Sequence, residues 1–228
     1  ENTADSSPGI EQHMDLCLQL MKDLDAVGLE TRLLRASLSL GQQSFLEDLL
    51  HPLLELTGEM WADGRLQVAH EHLASAVIRS LLGSMYLSST TDGTAPVLVS
   101  TTPSGQHHEF GALMASVTAA TSRWRTIYLG ANMPAEDIVA AAISRGAGAI
   151  ALSLVYSTDD PKLPDQLRRI RQLSGNAIPI LAGGRASSAY VPVLDEIGAI
   201  RISGLNDLRN ELELLHSEIS PPTLARGQ

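Results

Sequence analysis

Cysteine is all but missing from this chain, with one residue, Cys17, in 228. A single thiol excludes an intrachain disulfide framework and a cysteine-based zinc site, and its place in an apolar helical pattern predicts a core residue rather than a nucleophile. No apolar run approaches the length that spans a bilayer, and no positively charged signal peptide precedes the first helical pattern. A cytoplasmic protein with no membrane contact is therefore expected. Basic charge is also scarce: Lys and Arg number 16 against 26 Asp and Glu, a formal net charge of −10. Phosphate neutralisation demands the opposite balance, so the chain is not expected to bind nucleic acid by itself. No Gly-Lys-Ser/Thr follows a Gly-rich turn, and no Gly-x-Gly-x-x-Gly follows the first strand pattern, which sets aside phosphate-loop and nicotinamide chemistry. Repeats and low-complexity blocks are absent. The chain does not begin with Met, which fits a piece of a longer protein and a trimmed freestanding one equally.

What is present divides at the Ser/Thr/Gly-rich stretch 88–95, giving expected domains 8–90 and 95–219. In the first, apolar residues recur at helical spacing over 10–27, ending at Gly28, and again over 29–40, 42–56 and 66–87. Pro52 falls inside the third pattern and should kink or split it. Four to five helices with short connections predict a bundle. In the second domain, short β-branched runs at 97–100, 125–129, 149–152, 178–181 and 199–202 alternate with helical patterns. That alternation predicts an α/β domain whose mainly parallel, five-stranded sheet is covered on both faces. Residues 1–9 and the Ser220-Pro221-Pro222 stretch read as a linker or frayed terminus and a disordered end.

The chemistry concentrates in Thr102-Pro103-Ser104-Gly105-Gln106-His107-His108-Glu109-Phe110-Gly111, between the first strand pattern and a helix over 110–122. A histidine there stands at the carboxyl edge of an open α/β sheet, where such folds bind their ligands. A neutral imidazole nitrogen suits a borderline transition metal, and its second nitrogen needs an acceptor to fix the tautomer. Downstream, Ser153-Leu154-Val155 closes a second apolar strand and Gly183-Gly184 a third, and glycines suit places where backbone must approach a long buried tail. Gly130-Ala131-Asn132-Met133-Pro134 looks like a further ligand-edge loop. In the helical part, Trp61 is followed after nine residues by Glu71-His72. Each of these taken alone is more often a loop histidine, a core tryptophan or a solvated pair. A zinc cluster of His70 and His72 with His107 and His108 is disfavoured, because residues two apart point to different sides of a helix. Asp159-Asp160 before Pro161 reads as a helix-start loop rather than a catalytic carboxylate pair.

The histidine loop, the Ser-x-Leu/Val strand end and the Gly-Gly pair, in this order, resemble the cobalamin-binding Rossmann-like (flavodoxin-like) domain. The Trp-x9-Glu-His pattern resembles the helical cap of the light-sensing, adenosylcobalamin-binding domains of the CarH-like, MerR-type photoreceptor family. The resemblance implies adenosylcobalamin bound base-off, with His108 as the cobalt ligand. It implies Thr102, Gly105, Gln106 and Gly111 on the ligand loop, and a slot for the nucleotide tail at Ser153, Val155, Gly183 and Gly184. Trp61 would cover the upper face of the corrin, with Glu71 and His72 beside the adenosyl group. Light would break the cobalt–carbon bond and change the oligomeric state of a homo-oligomer that is a sensor and not an enzyme. The output domain or regulatory partner lies elsewhere, since nothing here resembles the winged-helix domain of MerR-type relatives.

Two positions depart from the family. Gln106 stands where an acidic residue usually accepts a hydrogen bond from the ligand histidine, a role its amide oxygen is expected to keep without the charge. Ala62 stands where the known repressors carry a second histidine that captures cobalt after light, leaving His70 or His72 as substitutes. Some relatives also hold a bilin, and without a cysteine suited to attachment near the site a bilin here would be noncovalent. A corrinoid carrier protein of a methyltransferase system shares the same architecture and histidine loop, and Trp61 with Glu71-His72 is what separates the two. A cofactor-free interaction domain that has kept the fold is the third alternative.

Overall fold

Apolar residues three and four apart determine which faces the helices bury. In the computed structural model, which describes residues 9–88 and 93–219, the chain divides into two compact units, Glu1–Ser84 and Met85–Gln228. The expectations for 1–8, for the 89–92 part of the domain boundary and for 220–228 lie outside the described residues. No described helix is long and apolar enough to cross a membrane.

The first unit is helical. Helix α1 (Ile10–Lys22) buries His13, Cys17 and Met21, and α2 (Ala26–Ser44) buries Leu29, Leu33 and Ala36. A π-helical segment, Phe45–Leu50, leads into α3 (His51–Ala62), and α4 (Val68–Ser88) follows, its last residues from Met85 onward belonging to the second unit. The expected single helix over 10–27 is corrected. Lys22 ends α1, Leu24 takes a left-handed φ of 54°, and Asp25 starts α2 by accepting the Gly28 N–H at 2.8 Å. Gly28 therefore lies in a first turn rather than at a helix end, and a β-carbon there would run into the Asp25 carboxylate that caps the helix. The break expected between 40 and 42 is a kink inside α2, at Gly41 with φ 75° and ψ 158°. Pro52, which has no N–H to donate, sits in the first turn of α3 directly after the π segment; Leu50 and His51 keep helical angles, so the third pattern runs on through a change from π to α rather than a break.

Burial and the Arg32 charge lower the pKa of His13 from its ordinary 6.5. The unfolded chain therefore binds the proton first as pH falls, so stability complete above about pH 6.5 drains below it. The thermal midpoint is expected to drop between pH 7 and pH 5, and His13→Leu to flatten that slope in the same melting curves.

The second unit carries five parallel strands, β1 (Val97–Thr101), β2 (Arg125–Tyr128), β3 (Ala147–Ser153), β4 (Ile180–Gly183) and β5 (Ile200–Ile202), in the order β2-β1-β3-β4-β5. Alternation along the strands sends side chains to two cores. Val99, Ile150, Leu152, Ile180 and Ala182 face a core that includes Ile138 of α6 (Ala135–Ser144), Leu167 of α7 (Leu163–Ser174) and Leu194 of α8 (Val191–Glu196). Leu98, Ala149, Ala151 and Leu181 face Ala115 and Ala119 of α5 (Phe110–Thr121) and Leu208, Leu212 and Leu215 of α9 (Leu205–Ile219). Trp124, fully buried in that second core, donates its indole N–H to the Leu212 carbonyl at 3.0 Å. The fourth strand begins two residues later than the pattern suggested: Pro179 has no N–H for the ladder and only its carbonyl pairs, accepting from Ile150 N–H at 2.9 Å.

Strand β2 is an edge of the sheet. Its Arg125 N–H, and the Leu129 N–H just after it, donate to Pro96 and Ser100 on the β1 side, so the alternate groups face away from the sheet. The Tyr86 hydroxyl takes the place of a missing strand there: it donates to the Thr126 carbonyl at 3.0 Å and accepts from the Tyr128 N–H at 3.4 Å. Tyr86→Phe is expected to remove about 1 kcal/mol, the net worth of such bonds, measured as a lower denaturant midpoint at unchanged slope.

Candidate functional site

Strand order 2-1-3-4-5 reverses direction between β1 and β3, and the loops leaving those two strands frame the crevice where such sheets take ligands. The loop after β1 is tied down on both sides. On one side, Thr101 Oγ1 donates to the Gly130 carbonyl at 2.8 Å, and Asn132 Oδ1 accepts the Gly105 N–H at 2.8 Å. The Asn132 N–H donates to Thr102 Oγ1 at 2.9 Å, the Met133 N–H donates to the Thr102 carbonyl at 2.9 Å, and the Thr102 hydroxyl closes the loop on the Gln106 carbonyl. Gly105, at φ +88°, supplies a left-handed turn that a β-carbon would strain. On the other side, Gln106, 1% exposed, reaches across to the loop after β3.

That reach corrects the expectation for Gln106. Its Oε1 accepts the N–H groups of Val155 at 3.1 Å and Tyr156 at 3.2 Å, which fill both lone pairs of the amide oxygen. The oxygen is therefore a clamp between two loops and not an acceptor for His108. Two backbone donors at a strand end, otherwise unsatisfied, outcompete a single exposed imidazole. Gln106 Nε2 is left buried without a partner.

His107 and His108 are exposed, and the His108 imidazole meets the Tyr156 ring edge to face at a centroid distance of 5.9 Å. Next to them, Glu109 Oε2 is hydrogen-bonded by the Tyr128 hydroxyl at the end of β2, and the Tyr128 ring in turn meets that of Tyr86 at 6.3 Å. Ser153, at the end of β3, is 7% exposed and its hydroxyl has no partner. A β-carbon placed on Gly111, in the first turn of α5, would fall on that hydroxyl. The two late glycines have causes within the protein: a β-carbon on Gly183 would come within 2.9 Å of the Ile202 carbonyl oxygen, and one on Gly184, at φ +96°, would collide with the Leu154 backbone.

The residues at this edge fit a corrinoid. Two buried hydrogen-bonding groups, Ser153 Oγ and Gln106 Nε2, lack partners, and only a glycine at 111 leaves room beside the serine. Among the described residues no three His, Cys, Asp or Glu side chains come together as a metal site. A lone imidazole is a poor site for a free ion but suits a metal already held in a macrocycle. The two histidines of the helical part have separate local partners. His70 Nδ1 accepts the Gln67 N–H at 3.0 Å at the start of α4, while His72 Nδ1 pairs with Glu71 Oε2 at 2.7 Å.

In the helical unit, Trp61 is the penultimate residue of α3 and is 51% exposed. Glu71 lies in the first turn of α4, beyond the short connection 63–67, and also accepts from the Ser75 hydroxyl at 2.6 Å. Asp160 Oδ1 accepts the Lys162 N–H at 2.9 Å just before α7, which bears out the helix-start reading of that pair. Asn132, Tyr156, Glu109 and Tyr128 were not legible as site-builders. The one available signal was the Gly-Ala-Asn-Met-Pro loop, whose asparagine adopts φ 60°.

Residues 96–206 match the B12 binding domain family, and residues 15–85 match a second family likewise described as a B12 binding domain. The HTH-type transcriptional repressor CarH of Myxococcus xanthus is 30% identical over 161 residues, 71% of this chain and 54% of that protein. CarA of the same organism is 30% identical over 160 residues, 69% of this chain and 52% of that protein. The chain thus spans about half the length of the curated relatives it matches. Among solved structures, the monomethylamine corrinoid protein of Methanosarcina barkeri aligns over 93% of this chain and 100% of its own with a TM-score of 0.67, and at 14% identity this speaks to the fold alone. The matched segments contain the histidine loop, Ser153, the glycine pair and the Trp61 and Glu71-His72 motif, and the chain belongs to the B12 binding domain family as a CarH-like cobalamin-binding domain.

Proposed function

We propose that this chain is the sensory part of a cytoplasmic, cobalamin-dependent photoreceptor rather than an enzyme. In this reading it holds adenosylcobalamin base-off with His108 on cobalt, and reports light as a change of conformation or of homo-oligomeric state. The observation that carries the adenosyl preference is Trp61. A large indole left 51% exposed at a helix end, with the hydrogen-bonded Glu71–His72 pair across the following turn, is a ready cover for an apolar-faced group with hydrogen-bonding edges. The 30% identity to CarH and CarA supports the same reading.

Bound adenosylcobalamin would supply a cobalt–carbon bond that visible light breaks. The remaining roles fall to the chain's own residues. His108 offers an imidazole lone pair whose orientation is set by a loop fastened at Thr102, Gly105 and Gln106. Ser153 Oγ and Gln106 Nε2 offer hydrogen bonds to the nucleotide tail. Trp61 excludes water from the upper face, and Glu71 with His72 binds polar edges there. Signalling requires that the adenosyl group contact two arrangements of the protein unequally. Ala62 brings no donor for the emptied upper position, so His72 is the nearest imidazole in sequence whose ring is not engaged in capping a helix. With a net charge of −10 the output goes to a further domain or regulatory partner rather than directly to nucleic acid.

The test is an absorption spectrum of the chain reconstituted with adenosylcobalamin in darkness, before and after green light, with size-exclusion chromatography of the same samples. A light-driven spectral change together with an altered elution volume is expected. Equal binding of methylcobalamin with no light-dependent change would instead identify a corrinoid carrier, and no corrinoid binding would leave a domain that has kept only the fold.

A further inference from the structure

Helix α2 carries two apolar stripes that are two residues out of step, which on a helix puts them on opposite sides. One stripe, Leu29, Leu33 and Ala36, is buried. The other, Val27, Thr31, Leu34 and Leu38, is exposed: Val27 is 74% accessible, Leu34 44% and Leu38 85%. Leu24, in the turn that leads into α2, is exposed one step ahead of the same stripe. A single exposed leucine needs no explanation, but a run of them along one helix face marks an interaction surface.

The outer stripe is spaced by four residues, three, then four, as are successive d, a, d and a positions of a heptad, and Leu24 falls at the a position before it. The positions that flank such a seam are e and g, and their charges set partner and direction. Glu30 stands at g and Arg35 at the following e; both are exposed, and neither pairs with another described residue. When two such helices run parallel, a g side chain meets the e side chain five residues further along its partner. Glu30 of each copy then meets Arg35 of the other, once on each side of the seam. An antiparallel pair sets g against g and e against e, and leaves both charges unmatched. Gly41 kinks α2 just beyond Leu38, so the seam ends where the straight part of the helix does.

We infer that the outer face of α2 is an interface with a second copy of this chain, two α2 helices lying parallel about a two-fold axis with Val27, Thr31, Leu34 and Leu38 in the seam and Glu30–Arg35 pairs at its edges. The face is self-complementary, as an isologous contact requires: each copy brings the same apolar seam with one acidic and one basic flank. It is short, so the association is weak and concentration-dependent. The inference names a face for the homo-oligomer of the photoreceptor reading, and rests on that reading only in expecting a second copy.

The experiment measures sedimentation of the full chain over a concentration series, without cofactor, with adenosylcobalamin in darkness, and after light. Association is expected, and Leu38→Glu is expected to weaken it roughly a hundredfold or more, because each copy then brings a charge into the seam. Glu30→Lys and Arg35→Glu should each weaken it about tenfold, and the two changes together should restore it. Direction is read from Leu34→Cys: a parallel pair places residue 34 opposite its own copy, so mild oxidation should link the two chains there, with Cys17 buried and out of reach. A chain that is monomeric in all three states, association untouched by Leu38→Glu, or a Leu34→Cys chain that associates without cross-linking overturns the inference. A chain that pairs through α2 but binds no adenosylcobalamin keeps this interface and loses the photoreceptor reading; one that binds it and responds to light as a monomer loses this interface alone.

Discussion

His108→Ala is expected to lower the affinity for adenosylcobalamin by about two orders of magnitude or more, because removing a group that only supports a metal ligand already costs 10–100-fold. The loss should be this large because His108 would make the bond to cobalt itself, whereas a supporting group only orients the ligand. What remains bound should show the spectrum of a corrinoid without a protein nitrogen on its lower face. In the reduced, paramagnetic cob(II)alamin form, the nitrogen coupling seen by electron paramagnetic resonance should disappear, and added imidazole should restore it. His107→Ala is the matched control: His107 is likewise exposed, but by the resemblance it is not the ligand. A His108→Ala protein with an unaltered spectrum and coupling would remove His108 from the site.

The parts of the fold carried by local pattern were readable, and the parts carried by distant partners were not. Alternation of Leu98 with Val99 and of Ala149 with Ile150 was visible in the residues, and it sorts them into the two cores that the sheet separates. The start of α2 was hidden, because Asp25 and Gly28 suit a helix end as well as a helix beginning. Only the 2.8 Å bond between them decides. At the site, His108 and Ser153 were legible because their loops carry a spaced motif. The role of Gln106 was not, since its oxygen is taken by backbone groups 49 and 50 residues away. Asn132 meets Gly105 across 27 residues and Tyr86 meets Thr126 across 40, distances over which no periodicity reports. The glycine pair at 183–184 was read as letting backbone approach a long buried tail, and within the chain itself a β-carbon at either position would meet Ile202 or Leu154.

Gln106→Ala is expected to destabilise the second unit by about 2 kcal/mol. Two N–H groups lose their acceptor, at about 1–3 kcal/mol for each donor left buried, offset in part because the unpartnered Nε2 goes with the side chain. The damage should be local and traceable. The amides of Val155 and Tyr156 should exchange with solvent faster than their neighbours, and the Tyr156 ring, held against His108 at 5.9 Å, should lose its fixed position. Bound corrinoid should then show a weaker, more heterogeneous cobalt–imidazole signal even though His108 is intact. Gln106→Glu separates the clamp from mere side-chain volume. A carboxylate accepts the same two N–H bonds more strongly than an amide oxygen, so protection of both amides should survive at pH 7. If the Val155 and Tyr156 amides exchange alike in the unsubstituted chain and in Gln106→Ala, the two loops are held together by something other than this glutamine.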